Sequence, residues 1–194
     1  MSTTQPIRNP ALLQEFKNYY LYTSPNSRNH ALCILGLNTA LRITDILKLT
    51  WQDIYDFDEK HFRGHLLIKE QKTGKTALIA LNAAVTEALL LLLKDLSAPP
   101  LPRNFIFISR KGTNCPIGRT QAFRIIKNAA AKVGLYQHIS CHSLRKTFGY
   151  FAWQQGIAPA MLMNIYNHSS YQITKRYLGI EQDEKDRVFL NISL

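Results

Sequence analysis

The spacing of apolar side chains predicts helices along most of the chain. Apolar residues recur at helical intervals over 11–22 and 27–41, and Pro25-Asn26-Ser27 between them is typical of a turn that ends in an N-cap. A short third helix is expected over 43–49. Four more helices are predicted in the rest of the chain, over 82–95, 120–133, 143–155 and 159–166.

Two short apolar segments, 65–69 and 76–81, have the composition of β-strands. The turn Lys72-Thr73-Gly74-Lys75 between them predicts a β-hairpin. Residues 105–108 form an apolar run that is too short to distinguish a strand from a buried loop. We therefore predict a mainly α fold with a small antiparallel β-sheet, an α+β domain that spans residues 1–194.

Length and composition favour one cytoplasmic domain. At 194 residues and 46% hydrophobic content, the chain is long enough to bury a core. No apolar run reaches the roughly 18 residues that span a bilayer, so no membrane partner is predicted. The N-terminus lacks the charged and apolar segments of a secretion signal, and the three cysteines have no metal-ligand spacing. We expect no cofactor and no metal.

Charge is distributed unevenly along the chain. The formal net charge is +11, yet no Asp or Glu occurs between Ser97 and Ile180. Such a segment would repel itself unless a polyanion accepts it, and the phosphate backbone of double-stranded DNA is the usual acceptor. The alternative is a surface charged only for solubility, which normally mixes both signs. The basic residues of the segment are Arg103, Arg110, Lys111, Arg119, Arg124, Lys127, Lys132, Arg145, Lys146, Lys175 and Arg176.

Candidate reactive residues occur in four short motifs, none of which is informative alone. They are Ala-Leu-Arg-Ile-Thr-Asp-Ile-Leu at 40–47, Lys-Thr-Gly-Lys at 72–75, His-Ser-Leu-Arg at 142–145 and Asn-His-Ser-Ser at 167–170. A tyrosine follows nine residues after the last histidine. The candidate residues are Arg42, Lys72, His142, Arg145, His168 and Tyr177.

These residue types match metal-independent cleavage of a phosphodiester, which needs a nucleophile, donors for the phosphate oxygens and an acid for the leaving oxygen. Guanidinium groups suit the donor role because their planar fork matches a phosphate. Arg145 lies three residues after His142, so both side chains can share one helical face. Tyr177 would supply the attacking oxygen, and the phosphotyrosine would keep the cleaved strand activated for rejoining.

In their order and spacing, the motifs resemble the tyrosine recombinase (phage integrase) family over most of the chain. The resemblance implies the fold of the recombinase catalytic domain. It also implies site-specific recombination of DNA through a 3′-phosphotyrosine and a Holliday junction, without a metal. Such a protein would be associated with the nucleoid, a homotetramer on synapsed DNA and a monomer or weak oligomer when free.

The resemblance also implies a role for each candidate. Tyr177 would attack the phosphorus, and Lys72 in the hairpin turn would protonate the 5′-oxygen. Lys69 and Lys75 flank Lys72 and remain alternatives for this acid. The residues expected to assemble around the phosphate are Arg42, Lys72, His142, Arg145 and His168.

Two residues depart from the usual pattern of the family, which has glycine at both positions. Asn167 can replace glycine in a left-handed backbone conformation, because asparagine tolerates it best. Ala40 has no such explanation from the sequence and leaves the geometry around Arg42 open. Asp45 is expected on the same face as Arg42 and is predicted to steady its guanidinium.

The sequence also supports predictions about the two ends of the chain. Only residues 1–25 precede the first well-matched helix, so we expect a minimal member, similar to the recombinases that invert fimbrial promoters and lacking a DNA-clasping domain. The alternative is that the chain is a fragment of a longer member. In the C-terminal tail, 181–194, an acidic patch precedes the apolar residues 188–194. The resemblance implies that the tail docks on the next protomer. The alternative is that it folds back onto its own core.

Two other functions remain as alternatives: a type IB topoisomerase, which relaxes DNA with similar residues, and a catalytically inactive DNA-binding regulator of the same fold. The His-x-x-Arg and Asn-His-Ser-Ser forms match recombinases better, and the complete set of six residues argues against an inactive protein. The DNA target, and whether the outcome is integration, excision, inversion or dimer resolution, stay open.

Overall fold

The computed structural model describes residues 4–72 and 74–193. The helices are α1 (Pro10–Asn18), α2 (Ser27–Asn38), α3 (Ile43–Ile46), α4 (Trp51–Ile54), α5 (Ala83–Lys94), α6 (Arg119–Lys132), α7 (Cys141–Gln154), α8 (Pro159–Tyr166), α9 (Tyr171–Leu178) and α10 (Glu181–Asn191). A π-helical segment, Tyr19–Thr23, continues α1. The strands are β1 (Tyr55–Asp56), β2 (His61–Phe62), β3 (His65–Lys69) and β4 (Thr76–Ala80).

The strands form two separate antiparallel pairs, β1 with β2 and β3 with β4. The β3–β4 pair is the predicted hairpin, in which Leu66 lies opposite Ile79. Residues 105–108 contribute only isolated bridges, since they contact one residue at a time in neighbouring loops. The prediction of a mainly α fold with a small antiparallel sheet is confirmed.

The helices differ from the sequence prediction in extent and in number. Helix α2 ends at Asn38 instead of residue 41, because Ala40 has a φ of 53° and no helix continues through the left-handed region. No helix was predicted after Tyr166, yet α9 and α10 lie there. Helix α9 buries only Thr174 and Leu178, and α10 buries no residue. Helix α9 is amphipathic but spans only eight residues, too few to establish a helical period, and α10 is mainly polar.

Helix α2 lies at the centre of the main core. Residues 30–37 are all buried, and α2 packs against α5 and α7. A second, smaller core joins α7, α8 and α9 through Tyr150, Tyr166 and Leu178. Gly149 permits this close packing, because a Cβ there would lie 2.5 Å from Leu178 Cδ2. Helix α9 is therefore held against the middle of α7.

The N-terminal residues 4–9 have no regular secondary structure but are anchored to the helices. The backbone N–H of Ile7 donates to Thr147 Oγ1 of α7 at 2.8 Å. The guanidinium of Arg8 donates to the carbonyl of Gly179, at the end of α9, at 2.5 Å. This segment thus links α7 to the C-terminal end of α9.

Candidate active site

Arg42 occupies the N-cap position of α3 and reaches the end of β3. The preceding left-handed residue, Ala40, takes the backbone conformation for which glycine is usual. The Arg42 side chain is 17% exposed, and its Nη1 donates to Glu70 Oε2 at 2.7 Å. The buried carboxylate of Glu70 therefore holds the guanidinium beside the hairpin.

The prediction that Asp45 steadies Arg42 is wrong. Arg42 has extended backbone angles, so its side chain does not share a helical face with Asp45 in α3. Asp45 is buried, and its Oδ1 accepts a hydrogen bond from the backbone N–H of Gln71 at 3.1 Å. Its Oδ2 has no hydrogen-bond partner in the described part of the chain. Asp45 thus anchors the residue that precedes Lys72.

Lys72 lies exposed in the turn between β3 and β4. Its charge is one of those that lower the pKa of His142, so the lysine lies on the same side of the molecule as that ring. Lys75 is also exposed at this turn, whereas Thr73 of the Lys-Thr-Gly motif lies outside the described residues.

Helix α7 presents His142 and Arg145 from its first turns. Ser140 and Ser143 form a capping box, in which Ser140 Oγ accepts from the N–H of His142 at 3.2 Å. Arg145 is 4% exposed, and its Cζ lies 4.7 Å from the centroid of the Tyr166 ring. The Tyr166 hydroxyl donates to the Arg145 carbonyl at 2.7 Å. Tyr166 therefore supports both the side chain and the backbone of Arg145.

His168 follows a left-handed residue at the end of α8. Asn167 has a φ of 55°, so the prediction that asparagine replaces glycine in this conformation is confirmed. Asn167 Nδ2 also donates to Glu70 Oε2 at 3.1 Å, so one carboxylate contacts both Arg42 and the loop that carries His168. His168 Nδ1 lies 3.1 Å from Thr174 Oγ1 of α9.

Tyr177 points from α9 into the same cluster. Its ring centroid lies 5.2 Å from that of His168 and 5.3 Å from that of Tyr166. The Tyr177 hydroxyl is buried and has no hydrogen-bond partner among the residues the structure describes. Burial raises the pKa of Tyr177, and the charge of Arg145, the approach of its N–H groups to the hydroxyl and the charge of Arg42 oppose this effect. The approach of Arg145 does not meet hydrogen-bond geometry, so the hydroxyl stays free to attack.

The other two tyrosines near this site have committed hydroxyl groups. That of Tyr166 donates to the Arg145 carbonyl, and that of Tyr171 donates to Glu184 Oε1 at 2.5 Å. Burial, together with the Glu184 carboxylate, raises the pKa of Tyr171 to about 12. Of the three, Tyr177 is the one whose oxygen is available.

The two histidines of the cluster are held in the neutral form. Burial, followed by the positive charges of Arg145 and Lys146, lowers the pKa of His142. Burial, followed by the charges of Arg145 and Arg42, lowers the pKa of His168. Each neutral ring offers one N–H donor and one free lone pair. The structure therefore brings five predicted residues together, with Lys72 within electrostatic reach: Arg42, His142, Arg145, His168 and Tyr177.

Sequence reasoning missed two members of the cluster, Glu70 and Lys146. Glu70 comes two residues before Lys72, where a solvated charge would be ordinary, but it is 3% exposed. Lys146 was counted with the basic surface, but it is 4% exposed, and its Nζ lies 5.2 Å from the centroid of the Tyr177 ring. No sequence signal distinguishes these charges from exposed ones, because their burial depends on distant parts of the chain.

A family model described as "Phage integrase family" matches residues 9–184. The chain belongs to the phage integrase family. It is 40% identical to the probable integrase/recombinase YoeC of Bacillus subtilis (strain 168), over 94% of this chain and 93% of that protein. It is 27% identical to the type 1 fimbriae regulatory protein FimE of Escherichia coli (strain K12), over 80% of this chain and 76% of that protein. The predicted membership of the tyrosine recombinases is confirmed.

Solved structures of this family share the fold. The XerA recombinase superposes with a TM-score of 0.73 at 17% identity, over 99% of this chain and 68% of that one. The XerH site-specific recombinase bound to palindromic difH superposes with a TM-score of 0.71 at 18% identity, over 91% of this chain. The chain spans about half of the XerH chain, 49%.

The described residues contain neither a membrane-spanning helix nor a metal-binding cluster. Within 4–72 and 74–193, no helix is long and apolar enough to cross a membrane. Over the same residues, no three His, Cys, Asp or Glu side chains lie together as metal ligands would.

Proposed function

We propose that this protein is a site-specific DNA recombinase that cleaves and rejoins strands through a 3′-phosphotyrosine at Tyr177. The observation that carries the proposal is the buried, uncommitted hydroxyl of Tyr177 among Arg42, Arg145 and two neutral histidines. Residues 1–194 would act as one catalytic domain. Its partner would be double-stranded DNA, since structural neighbours such as the Tn1549 transposon integrase were solved in complex with DNA.

The scissile phosphate would lie between the two guanidinium groups. Arg42 keeps free N–H donors beyond the one that binds Glu70, and Arg145 is fixed by Tyr166, so both present donors at little further entropic cost. His142 and His168 would add one N–H each. Stabilising the charge that develops on the non-bridging oxygens is the main task of these groups.

The proton transfers balance in this arrangement. The Tyr177 oxygen forms a bond to phosphorus while the bond from phosphorus to the 5′-oxygen breaks. The phenol proton would pass to the unprotonated ring nitrogen of His142, whose other nitrogen donates to the phosphate. His168, whose Nδ1 contacts Thr174 Oγ1, has one nitrogen left and would act as a donor only. Lys72 gives a proton to the departing 5′-oxygen. Rejoining reverses these steps, when a 5′-hydroxyl attacks the phosphotyrosine.

Covalent trapping tests the proposal. A nicked suicide substrate made from the DNA that flanks the gene should yield a protein–DNA adduct in excess chelator, because arginines and histidines stabilise the charge on the phosphate. A strict need for magnesium in strand cleavage would contradict the mechanism. The same preparation should resolve a synthetic Holliday junction. Relaxation of supercoiled DNA without junction resolution would favour the topoisomerase, and binding without any adduct would favour the inactive regulator.

DNA binding should depend steeply on salt. Between Ser97 and Ile180, where no Asp or Glu occurs, eight of the basic residues are exposed. The basic residues of this segment that are not exposed are Arg145, Lys146 and Lys175. If about six of the exposed ones contact phosphates, a plot of log affinity against log salt should have a slope of about −5. The substitution Arg124→Gln should make that slope less negative by about 0.9, and Lys94→Gln, on α5 outside the segment, should leave it unchanged. A flat salt response would show that this charge does not face DNA.

We also propose that the tail joins protomers into a tetramer on synapsed DNA. Exposure of four apolar side chains after residue 187, at 55–84%, supports docking on a second copy over folding back onto the same core: Val188, Phe189, Leu190 and Ile192. A groove of about 1000 Å³ between β4 and α8 would accept the tail of a second copy. Its apolar lining includes Ala40, Leu78, Phe148, Met163 and Ile165.

Deleting residues 188–194 should leave binding of one protomer to a single site within about twofold, since these side chains make no core in the free protein. The paired-site complex on native gels should weaken by about tenfold or more. The substitution Ala160→Asp, in the lining of the groove, should have the same effect. An unchanged tetrameric complex, together with a lowered melting temperature of the shortened monomer, would show instead that the tail folds onto its own chain.

A further inference from the structure

Lys146 is a buried charge that the proposed reaction does not use. It follows Arg145 on α7 and is 4% exposed. Its Nζ donates to the carbonyl oxygen of Thr4 at 2.6 Å and lies 5.2 Å from the centroid of the Tyr177 ring. Burial lowers the pKa of Lys146. Among the described residues, the ammonium therefore has a hydrogen bond to the N-terminal segment and lies against the ring of Tyr177.

A lysine is an unfavourable choice for filling space at this position. Burying an ammonium group removes it from water, and a methionine of similar length would fill the same volume without that cost. One carbonyl and one ring compensate only part of the lost hydration. We therefore explain the buried charge of Lys146 by its electrostatic effect on the side chains around it.

The neighbour that gains most from this charge is the ionised form of Tyr177. A cation over a neutral ring is attracted weakly, through the quadrupole of the ring. When the phenol loses its proton, negative charge spreads into the ring, and the same contact becomes an attraction between opposite charges. The interaction is therefore stronger for the phenolate, the form that attacks phosphorus, than for the phenol.

Charged, titratable or aromatic side chains contact or approach Tyr177 from each helix or loop that packs against it. Arg145 approaches from α7, Arg42 from the start of α3, and His168 from the loop after α8. Tyr166 of α8 packs against its ring. In the proposed reaction the two arginines are occupied by the phosphate, whose negative charge offsets theirs. Lys146 contacts the ring rather than the phosphate, so its charge stays available to the phenolate.

We propose that Lys146 is a positioning residue that holds the Tyr177 ring and favours its ionised form, and that residues 4–8 hold Lys146 in place. The role of Tyr177 in this inference rests on the proposed function. Thr4 supplies the carbonyl for Lys146, and the N–H of Ile7 binds Thr147 on the next position of α7.

Arg8 completes this N-terminal support on the far side of the nucleophile. It donates to the carbonyl of Gly179, two residues after Tyr177, and to Asp183 Oδ1 of α10 at 2.9 Å. Its Cζ lies 5.2 Å from the centroid of the Tyr150 ring on α7. Residues 4–8 thus connect the lysine behind the nucleophile with the end of the helix that carries it.

The pH profile of single-turnover adduct formation tests the role of Lys146. Lys146→Gln removes the charge but keeps an N–H donor for Thr4. Because the charge favours the phenolate, its loss should move the midpoint of the rising limb upward by about one pH unit, a rate loss of about tenfold below that midpoint. The same shift should occur in a His142→Gln background, since Lys146 also lowers the pKa of His142. Lys146→Arg should keep the wild-type midpoint, and so should Lys94→Gln, a control for losing an exposed lysine. A midpoint unchanged in Lys146→Gln would overturn the proposal, even with a lower rate, because that result indicates a structural role only.

A separate variant, Arg8→Gln, tests whether residues 4–8 support the nucleophile. Arg8→Gln should slow adduct formation about fivefold without moving the midpoint, since it loosens the end of α9 and leaves Lys146 charged. An unchanged rate would overturn this half of the proposal. These comparisons presuppose a wild-type adduct at Tyr177. Its absence would reject the proposed function, whereas a wild-type adduct with insensitive variants would reject only the present inference.

A second measurement needs no variant of Lys146 and no catalysis. If the ammonium lowers the pKa of Tyr177, the phenolate must raise the pKa of Lys146 by the same amount. In protein labelled with ¹³C at the lysine Cε, and carrying at position 177 a fluorinated tyrosine whose phenol ionises while Lys146 is still charged, Lys146 should titrate at higher pH than in Tyr177→Phe, by about one unit. Equal titration in the two proteins would overturn the proposal. This comparison remains decisive if Lys146→Gln fails to fold.

Discussion

Replacing Tyr177 with phenylalanine should abolish the covalent adduct on a suicide substrate, a loss of at least about four orders of magnitude, because the nucleophilic oxygen is gone. Affinity for the DNA site should stay within about twofold. The melting temperature should not fall, since the Tyr177 hydroxyl is buried without a hydrogen-bond partner within the described ranges. Phenylalanine keeps the ring contacts with His168 and Lys146.

The two neighbouring tyrosines provide matched controls. Tyr171→Phe removes a hydroxyl bound to Glu184 and should leave the adduct intact. Tyr166→Phe removes the hydrogen bond to the Arg145 carbonyl and should slow adduct formation without preventing it. Peptide mapping decides the site of attachment. Adducts that persist in Tyr177→Phe, or that map to Tyr166 or Tyr171, would show that the nucleophile lies elsewhere.

The substitution Arg42→Lys should lower the rate of strand cleavage by about 10²–10³-fold while DNA affinity falls only a few-fold. Lysine keeps the charge but has no planar fork, so it cannot present two parallel N–H groups to a phosphate while it stays paired with Glu70. Removing one preorganised donor to a developing charge typically has an effect of this size. The measurement is single-turnover cleavage at saturating protein.

Arg63→Lys is the matched control for this change. Arg63 is exposed at the start of the hairpin and pairs with Asp56 through Nη1 and Oδ2 at 3.1 Å. The same substitution there should leave the cleavage rate within about twofold, because exposed ion pairs contribute little. If both variants cleaved at the wild-type rate, the guanidinium of Arg42 could not have the role proposed for it.

Periodic apolar segments made most helices predictable. Helices α2, α5, α6 and α7 lie where their apolar spacing predicts them, within a few residues at each end. Helices α9 and α10 were missed, since α9 is amphipathic but only eight residues long and α10 is mainly polar. The hairpin was predicted from its turn and its flanking apolar strands, and its pairing is confirmed.

The candidate site was predictable only as a set of residue types. Motif order selected Arg42, His142, Arg145, His168 and Tyr177, and these five meet in the fold. The left-handed conformation at Asn167 also followed from the sequence, because it depends on one residue's own backbone preference. Such local preferences and spacings are properties that a chain carries before it folds.

By itself, the sequence determined the family, the helical plan, the basic segment and the identities of the reactive side chains. Tertiary structure alone decided that Arg42 pairs with Glu70, 28 residues away, and that Lys146 is buried against Thr4, 142 residues away. It also decided which tyrosine keeps an uncommitted hydroxyl. The reason is physical: burial and hydrogen-bond partners belong to pairs of residues that meet only when α7, α9, the hairpin and the N-terminal segment pack together.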